Sequence, residues 1–372
     1  MILRVILIIL TAVIVLGGAN WFIYFSLVRF FSIQTLANKL IVAVGLFVVT
    51  FGFLAISAIS RVLENTTIKY LYTASSVLIG FWVFLLFSLI FAWIIIGIVN
   101  LAGISPGYKL IGIIMISLAV IYSVYNIYNA YDIKIKNIDV TIKNLPSQWK
   151  GKTIVQISDI HLGNINGAGF MERVARMTNS QNPDVIAITG DLFDGMDGDL
   201  NPLVQPLNDL KAKSAIYYIS GNHELYLGLD KALEVISKTN INFIDDGVVN
   251  NNGLQFVGIP YGQDFAGQDI KKILDANKNY NPEIPSVLLY HIPLPKQIEQ
   301  AKQLGMALQL SGHTHVGQLL PFKFITDLVY KGYDYGLFKE GDFNLYVSSG
   351  VGTWGPPMRS GNNPEIAVIH LN

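Results

Sequence analysis

The hydrophobic pattern changes character once along the chain. Up to about residue 130, apolar residues run on with few breaks in four stretches, roughly 5–28, 40–60, 75–99 and 110–130, each bounded by Arg, Lys, Asn or Pro-Gly. A helix needs roughly 20 residues to cross a hydrocarbon core of about 30 Å. Four such stretches in succession, joined by short polar links, predict a multi-pass membrane region over residues 1–130. The first run is too long for a cleaved signal peptide, and three more follow it. Trp21, Tyr24, Trp82, Trp93, Tyr122 and Tyr125 are placed near the interfaces, where amphipathic rings collect.

Beyond residue 130 the apolar runs shrink to strand length. Residues 131–146 alternate apolar and polar and predict one or two half-exposed strands opening a second domain, residues 131–372. Runs at 153–157 and 184–189 flank a stretch of helical spacing at 169–180, a strand-helix-strand unit. Further strands are predicted at 215–220, 254–259, 286–290, 307–310, 345–348 and 366–371, and helices at 202–211, 228–238, 269–276 and 295–303. This alternation is that of an α/β domain.

Charge sharpens the division. The first 130 residues carry only Arg4, Arg29, Lys39, Arg61, Glu64, Lys69 and Lys109 as charged groups, and none lies inside a predicted span. The spans therefore read as an anchor and not as an ion or substrate pathway. With the N-terminus inside, Arg4, Arg61, Lys69, Lys134, Lys136 and Lys143 are cytoplasmic and Arg29, Lys39 and Lys109 are outside. That excess favours both termini, and the second domain, in the cytoplasm. The whole chain balances 26 basic against 26 acidic residues, so no basic excess is available for a nucleic-acid partner. There is no cysteine, so any metal must be held by imidazole, carboxylate or amide groups.

Those groups gather after the predicted strands. Asp159 and His161 follow the first, Asp191 and Asp194 the second, Asn222 and His223 the third, while His291 follows SVLLY and His313 and His315 follow ALQLS. Ligands of open α/β sheets bind in the crevice beyond the carboxyl ends of the strands. In an extended loop His313 and His315 project together, with Thr314 turned away, which suits two metal ions with one imidazole each. Asp159 and His161 repeat the spacing, and His370, in the closing strand, reads as structural.

The ordered set SDIHLG, GDLFDG, SGNHEL, a lone histidine and SGHTHVG resembles the calcineurin-like metallophosphoesterase superfamily through the whole second domain. LSGHTHVGQLLP and VSSGVGTWGPPMRSGNNPEI further resemble a membrane-attached bacterial branch that includes relatives acting on UDP-2,3-diacylglucosamine. The chain departs from that branch at Val316, where a second Gly is usual, and at Pro260 and Tyr261, where an acidic pair is usual. The resemblance implies a four-layer α/β/β/α sandwich and two divalent ions, Mn, Fe or Zn. One ion would be held by Asp159, His161 and His315, the other by Asn222, His291 and His313, with Asp191 bridging. It implies that water activated between the ions attacks phosphorus, that His223 protonates the leaving group, and that Asp194 orients His223.

Arg359 is a candidate contact for a substrate phosphate, and Glu224 reads as helix-start or loop support. Tyr330, Tyr333 and Tyr335 read equally as a lid or an aromatic strand edge. The expected activity is hydrolysis of a phosphodiester, pyrophosphate or phosphomonoester, preferably on a lipid-linked substrate at the bilayer. The alternatives are a nuclease or cyclic-nucleotide phosphodiesterase, or a non-catalytic metal-binding sensor or scaffold.

Overall fold

The computed structural model describes residues 2–63, 65–195, 199–262 and 267–372, with side chains at residue 11 and from residue 13 onward. The Arg4 side chain and Glu64, which entered the charge count, lie outside the described residues. The chain divides into two compact units, residues 1–128 with 355–358, and residues 129–354 with 359–372.

The first unit is built on α1 (Ile2–Phe30), α2 (Leu36–Ile59), α3 (Thr66–Leu101) and α4 (Tyr108–Ala130). All four helices are long and apolar enough to cross a membrane. Side-chain caps set two of their starts: Thr35 Oγ1 accepts from the Asn38 N–H, and Asn65 Oδ1 from the Ile68 N–H. The Asn65 cap starts α3 well ahead of the predicted residue 75, making it 36 residues long. Trp82 and Trp93 point toward α1. Their indole N–H groups donate to Asn20 Oδ1 at 2.8 Å and Ser26 Oγ at 2.9 Å, so each ring turns toward an acceptor on α1.

The second unit opens with β1 (Lys134–Val140), a single strand where one or two were predicted. It continues with β2 (Thr153–Ile157), α5 (Ala168–Asn179), β3 (Val185–Thr189), α6 (Val204–Asn208) and β4 (Ala215–Ile219). Then come α7 (Asn222–Leu227), α8 (Leu229–Ile236), β5 (Asn242–Phe243), β6 (Val248–Asn251), β7 (Leu254–Ile259) and α9 (Ile270–Ala276). The chain closes with β8 (Ser286–Tyr290), α10 (Pro295–Gln303), β9 (Leu308–Ser311), α11 (Lys323–Tyr330), β10 (Gly336–Glu340), β11 (Phe343–Val347) and β12 (Glu365–Leu371).

Two six-stranded sheets result, in the orders β1-β12-β2-β3-β4-β5 and β10-β11-β9-β8-β7-β6. β2, β3 and β4 run parallel in one sheet, and β7, β8, β9 and β11 in the other. Ile154, Val185, Ala187 and Ile219 from the first sheet meet Phe256, Leu289 and Leu310 from the second in one core. On the outer faces Met171, Val174, Leu207 and Val235 pack on the first sheet, and Leu274, Ile298 and Ala301 on the second. The order of layers is α/β/β/α. Central strands are buried along their length because parallel strands covered on both faces have no solvent side.

Candidate metal centre

The loops leaving β2, β3, β4, β8 and β9 meet at one place. The first two run side by side: the Asp159 N–H donates to the Gly190 carbonyl oxygen and the His161 N–H to that of Asp191, at 3.1 and 3.0 Å. Asp159, His161, Asp191, His313 and His315 all have φ between 46° and 72°. Non-glycine residues seldom adopt this left-handed region, and they concentrate at functional sites where the surroundings hold them. The same geometry corrects the extended reading of the GHTH loop. His315 opens a short 3₁₀ turn, and Val316 follows at φ 53°, costly for a β-branched residue and offset by burial of its side chain.

Turning in this way, the two imidazoles present different nitrogens to different neighbours. His313 Nδ1 lies 3.2 Å from His291 Nε2, and His315 Nε2 lies 2.9 Å from His161 Nε2. Asp159, His161 and His315 offer ligand atoms within 4.8 Å of one another, as do Asp191, His291 and His313. Asp191 Oδ2 stands 3.2 Å from His291 Nε2 and 3.9 Å from His161 Nε2, reaching both groups, while Oδ1 accepts the His223 N–H at 2.9 Å. Glycine is required where these loops touch. A Cβ on Gly312 would collide with Ser158 Oγ and the Asp159 carboxylate, and one on Gly221 with Asp191 Oδ1.

The donor set fits divalent cations. Asn222 Oδ1 is buried with no hydrogen-bond donor among the described residues. Two pairs of imidazole nitrogens face each other at 2.9 and 3.2 Å, and with the adjacent carboxylates they make a mixed nitrogen and oxygen donor set of the kind that divalent ions take. The His291 Nδ1–H donates to the Thr189 carbonyl oxygen at 2.8 Å, which orients Nε2 inward.

Burial drives the electrostatics. It pushes His313 down to about 3, and holds His161 and His315 well below the usual imidazole range, so burial favours the neutral form of all three rings. Burial, with Asp191 nearby, pushes Asp159 up to about 6. At Asp191 burial acts upward too, but the surrounding His291 and His223 overcome it and hold the carboxyl well below its usual range. Burial works downward on His291, yet Asp191 lifts it to about 10.

His223 lies at the edge of this cluster. Its Nδ1 is 2.8 Å from the backbone carbonyl oxygen of Asp194, so the expected orienting partner acts through its main chain. The Asp194 carboxylate lies 3.7 Å from His161 Nδ1 instead. Burial works against the charged His223 ring, but Asp191 and Asp194 raise its pKa above the ordinary value.

Arg359 requires a correction. It is only 1% exposed, and its Nη2 donates to His315 Nδ1 at 2.9 Å and to the carbonyl oxygens of Ser349 and Gly352 at 2.6 and 2.8 Å. The guanidinium is buried beside an imidazole and outside the lining of the cavity over the cluster, with Nε and Nη1 enclosed without an acceptor among the described residues. Nothing in PPMRSG signals this, because the burial arises from the tertiary fold. Glu224 contributes more than loop support in general: buried, it accepts the N–H groups of Asp191, Phe193 and Gly221 at 3.0, 3.0 and 2.6 Å. Its place three residues after Gly221, the spacing of a capping box, was the available signal. Of the three tyrosines only Tyr330 reaches the site, its ring centroid 6.1 Å from that of His313, whereas Tyr333 and Tyr335 donate to Glu340 and Glu365. Tyr261, standing where the acidic pair was expected, packs 6.3 Å from both His291 and His313.

A cavity of about 530 Å³ opens over the cluster, lined on one side by Asp191, Asn222, His223, His313 and His315 and on the other chiefly by Tyr226, Phe322, Ile325, Tyr330 and Trp354. Neutral imidazoles and buried carboxylates at the carboxyl ends of strands from two facing sheets define a domain suited to divalent cations. A family model described as calcineurin-like phosphoesterase matches residues 152–317. An uncharacterized metallophosphoesterase of Campylobacter jejuni is 35% identical over 244 residues, covering 64% of this chain and 63% of that protein. A Bos taurus protein named transmembrane protein with metallophosphoesterase domain is 32% identical over 262 residues, covering 64% of this chain and 56% of its own length. An uncharacterized metallophosphoesterase of Aquifex aeolicus is 30% identical over 260 residues, covering 68% of this chain and 97% of its own. The chain belongs to the calcineurin-like phosphoesterase family, and membership implies divalent metal ions. It spans under two thirds of the length of the Campylobacter and Bos taurus proteins.

Proposed function

We propose that this chain is a membrane-anchored phosphoesterase in which residues 1–130 form a multi-pass anchor and residues 131–372 a hydrolase domain on the cytoplasmic side. Two divalent ions, Mn, Fe or Zn, would be held by Asp159, His161 and His315 and by Asn222, His291 and His313. Asp191 would serve both. The observation that carries this reading is the reach of a single oxygen, Asp191 Oδ2, to His291 and His161 in the two separate groups. A shared carboxylate offsets repulsion between two dications, and mixed nitrogen and oxygen ligation suits these metals.

When bound, such a pair supplies Lewis acidity to phosphoryl oxygens and lowers the pKa of water. The chain's own residues do the rest. His223, with Nδ1 turned to the Asp194 carbonyl oxygen, keeps Nε2 for delivering a proton to the leaving oxygen. Glu224 fixes the Asp191 loop, and Arg359 fixes the His315 ring. The substrate class that fits the half-aromatic cavity is a phosphate ester or pyrophosphate carrying an apolar portion, in keeping with the resemblance to phosphoesterases of UDP-2,3-diacylglucosamine.

The test uses the full chain purified in detergent and loaded with Mn²⁺, comparing an aryl phosphodiester with an aryl phosphomonoester. Expected are hydrolysis abolished by a chelator and a fall of at least about 10² in His223→Ala. Unchanged turnover in Asp191→Asn contradicts the shared-ligand assignment.

A further inference from the structure

Among the described residues of the second unit, the large apolar side chains left exposed are Tyr131, Tyr226, Phe322, Phe324, Ile325, Leu328, Val329 and Trp354. All but Tyr131 either line the cavity over the metal cluster or lie on α11, whose Ile325, Thr326 and Tyr330 line it. Soluble surfaces scatter exposed apolar residues singly, and a contiguous patch marks an interaction site.

α11 is amphipathic in the reverse sense from its neighbours. α8 and α10 bury Val235 and Ile298 against the sheets. On α11, Phe324 is 71% exposed and Leu328 78%, with Ile325 and Val329 beside them. At 3.6 residues per turn these four share one arc of about 140°. Tyr330 is the buried residue of the helix. Lys323 opens α11 and Lys331 caps it, so a cation stands at each end of the helix beside the apolar arc, with Asp327 midway between them in the same row.

Charge and chain length point to one occupant. Lysines along the edge of an exposed apolar arc complement anionic head groups above an acyl layer. Three residues, Tyr131 to Ile133, separate the end of α4 from the start of β1, so the domain follows directly on a helix fit to span a bilayer.

We propose that α11 is an interfacial helix, with Phe324, Ile325, Leu328 and Val329 immersed at the acyl boundary of a lipid bilayer. It seats the cavity mouth on the lipid surface, and the phosphoester then comes from an amphiphile held in the same membrane. The immersion stands on the surface alone; the substrate clause rests on the phosphoesterase reading above.

The chain has no cysteine, so a single introduced one reports uniquely. Leu328→Cys carries a nitroxide in the full chain, reconstituted one copy per nanodisc of phosphatidylcholine and phosphatidylglycerol. Glu283→Cys, on the loop before β8 at the opposite end of that strand from His291, is the aqueous control. Immersion requires the label at 328 to collide more often with oxygen than with an aqueous nickel chelate, and the label at 283 to do the reverse. A label at 328 that is as open to the chelate as the control overturns the proposal, and is the outcome if the arc serves a protein partner or a second copy. So does one shielded from both reagents.

In the same discs, Phe324→Ser with Leu328→Ser is expected to slow hydrolysis of a lipid-embedded phosphoester at least roughly tenfold, since each lost side chain weakens apolar burial. Hydrolysis of a soluble aryl phosphoester stays as in the parent. Equal turnover of the lipid substrate overturns the substrate clause. If no form of the chain hydrolyses any ester, the phosphoesterase reading fails while the nitroxide result still decides the immersion.

Discussion

Glu224 is a single side chain on which the arrangement of two site loops depends. Its carboxylate accepts three backbone N–H groups, two from the loop after β3 and one from the loop after β4, all away from solvent. Glu224→Ala removes the acceptor and leaves three buried donors. At about 1–3 kcal/mol for each orphaned group, and with water entering the vacated space to offset part, the cost is about 3 kcal/mol. For a unit of this size that lowers the melting temperature by roughly 6–12 °C. Glu224→Gln keeps one acceptor oxygen and sets an amide N–H against a donor, so it falls between the parent and Ala. The Asp191 loop shifts as well, and apparent Mn²⁺ affinity drops by about 10-fold or more, as for other groups supporting a ligand. The assays are thermal unfolding of the detergent-solubilised chain and Mn²⁺ titration of turnover. A Glu224→Ala chain that melts and titrates like the parent refutes the reasoning.

Arg359→Ala is expected to leave the KM for a soluble aryl phosphoester unchanged, because the guanidinium is buried against His315 and the carbonyl oxygens of Ser349 and Gly352; a rise in KM at saturating Mn²⁺ restores a substrate role. Gly312→Ala drives a methyl into Ser158 and Asp159 and is expected to abolish activity even at high Mn²⁺, checked by turnover alongside circular dichroism. Asp184 accepts from the Thr153 N–H at 3.0 Å and Lys152 Nζ at 3.1 Å, with Lys213 Nζ at 3.4 Å. Burial raises its pKa, but these donors win and hold it below the usual carboxylate value. A depressed carboxylate stabilises the fold above the ordinary range and ceases to as pH falls through its folded pKa. Asp184→Asn is therefore expected to cost about 1 kcal/mol at neutral pH, discounted for the exposed lysine partners, and progressively less as pH falls below the usual carboxylate range, read by thermal unfolding across an acid series.

The parts of the fold most legible in the sequence are strands buried along nearly their whole length and helices whose apolar face meets the core. Predicted strands at 153–157, 254–259 and 286–290 and the helix at 295–303 coincide with β2, β7, β8 and α10. The edge strands β5, β6 and β10 went unpredicted because they are short or carry polar residues without a buried face. α11 was missed for a different reason: its apolar arc faces outward, so Tyr330 next to Tyr333 and Tyr335 looked like a lid or a strand edge. At the site, the placement of histidines and carboxylates after strands brought together the residues that the structure gathers. The left-handed backbone at Asp159, His161, Asp191, His313 and His315 was not legible, since spacing alone suggests an extended loop. Nor was the burial of Arg359, which depends on contacts with His315 and Ser349, far from it in the pattern of local spacing.

Electron paramagnetic resonance of the full chain saturated with Mn²⁺ addresses the central claim directly, alongside metal counting by mass spectrometry. Two ions per chain with a spin-coupled spectrum, lost in Asp191→Asn, is the expected result. One ion at saturation, or two that stay magnetically independent, would contradict a centre joined through Asp191.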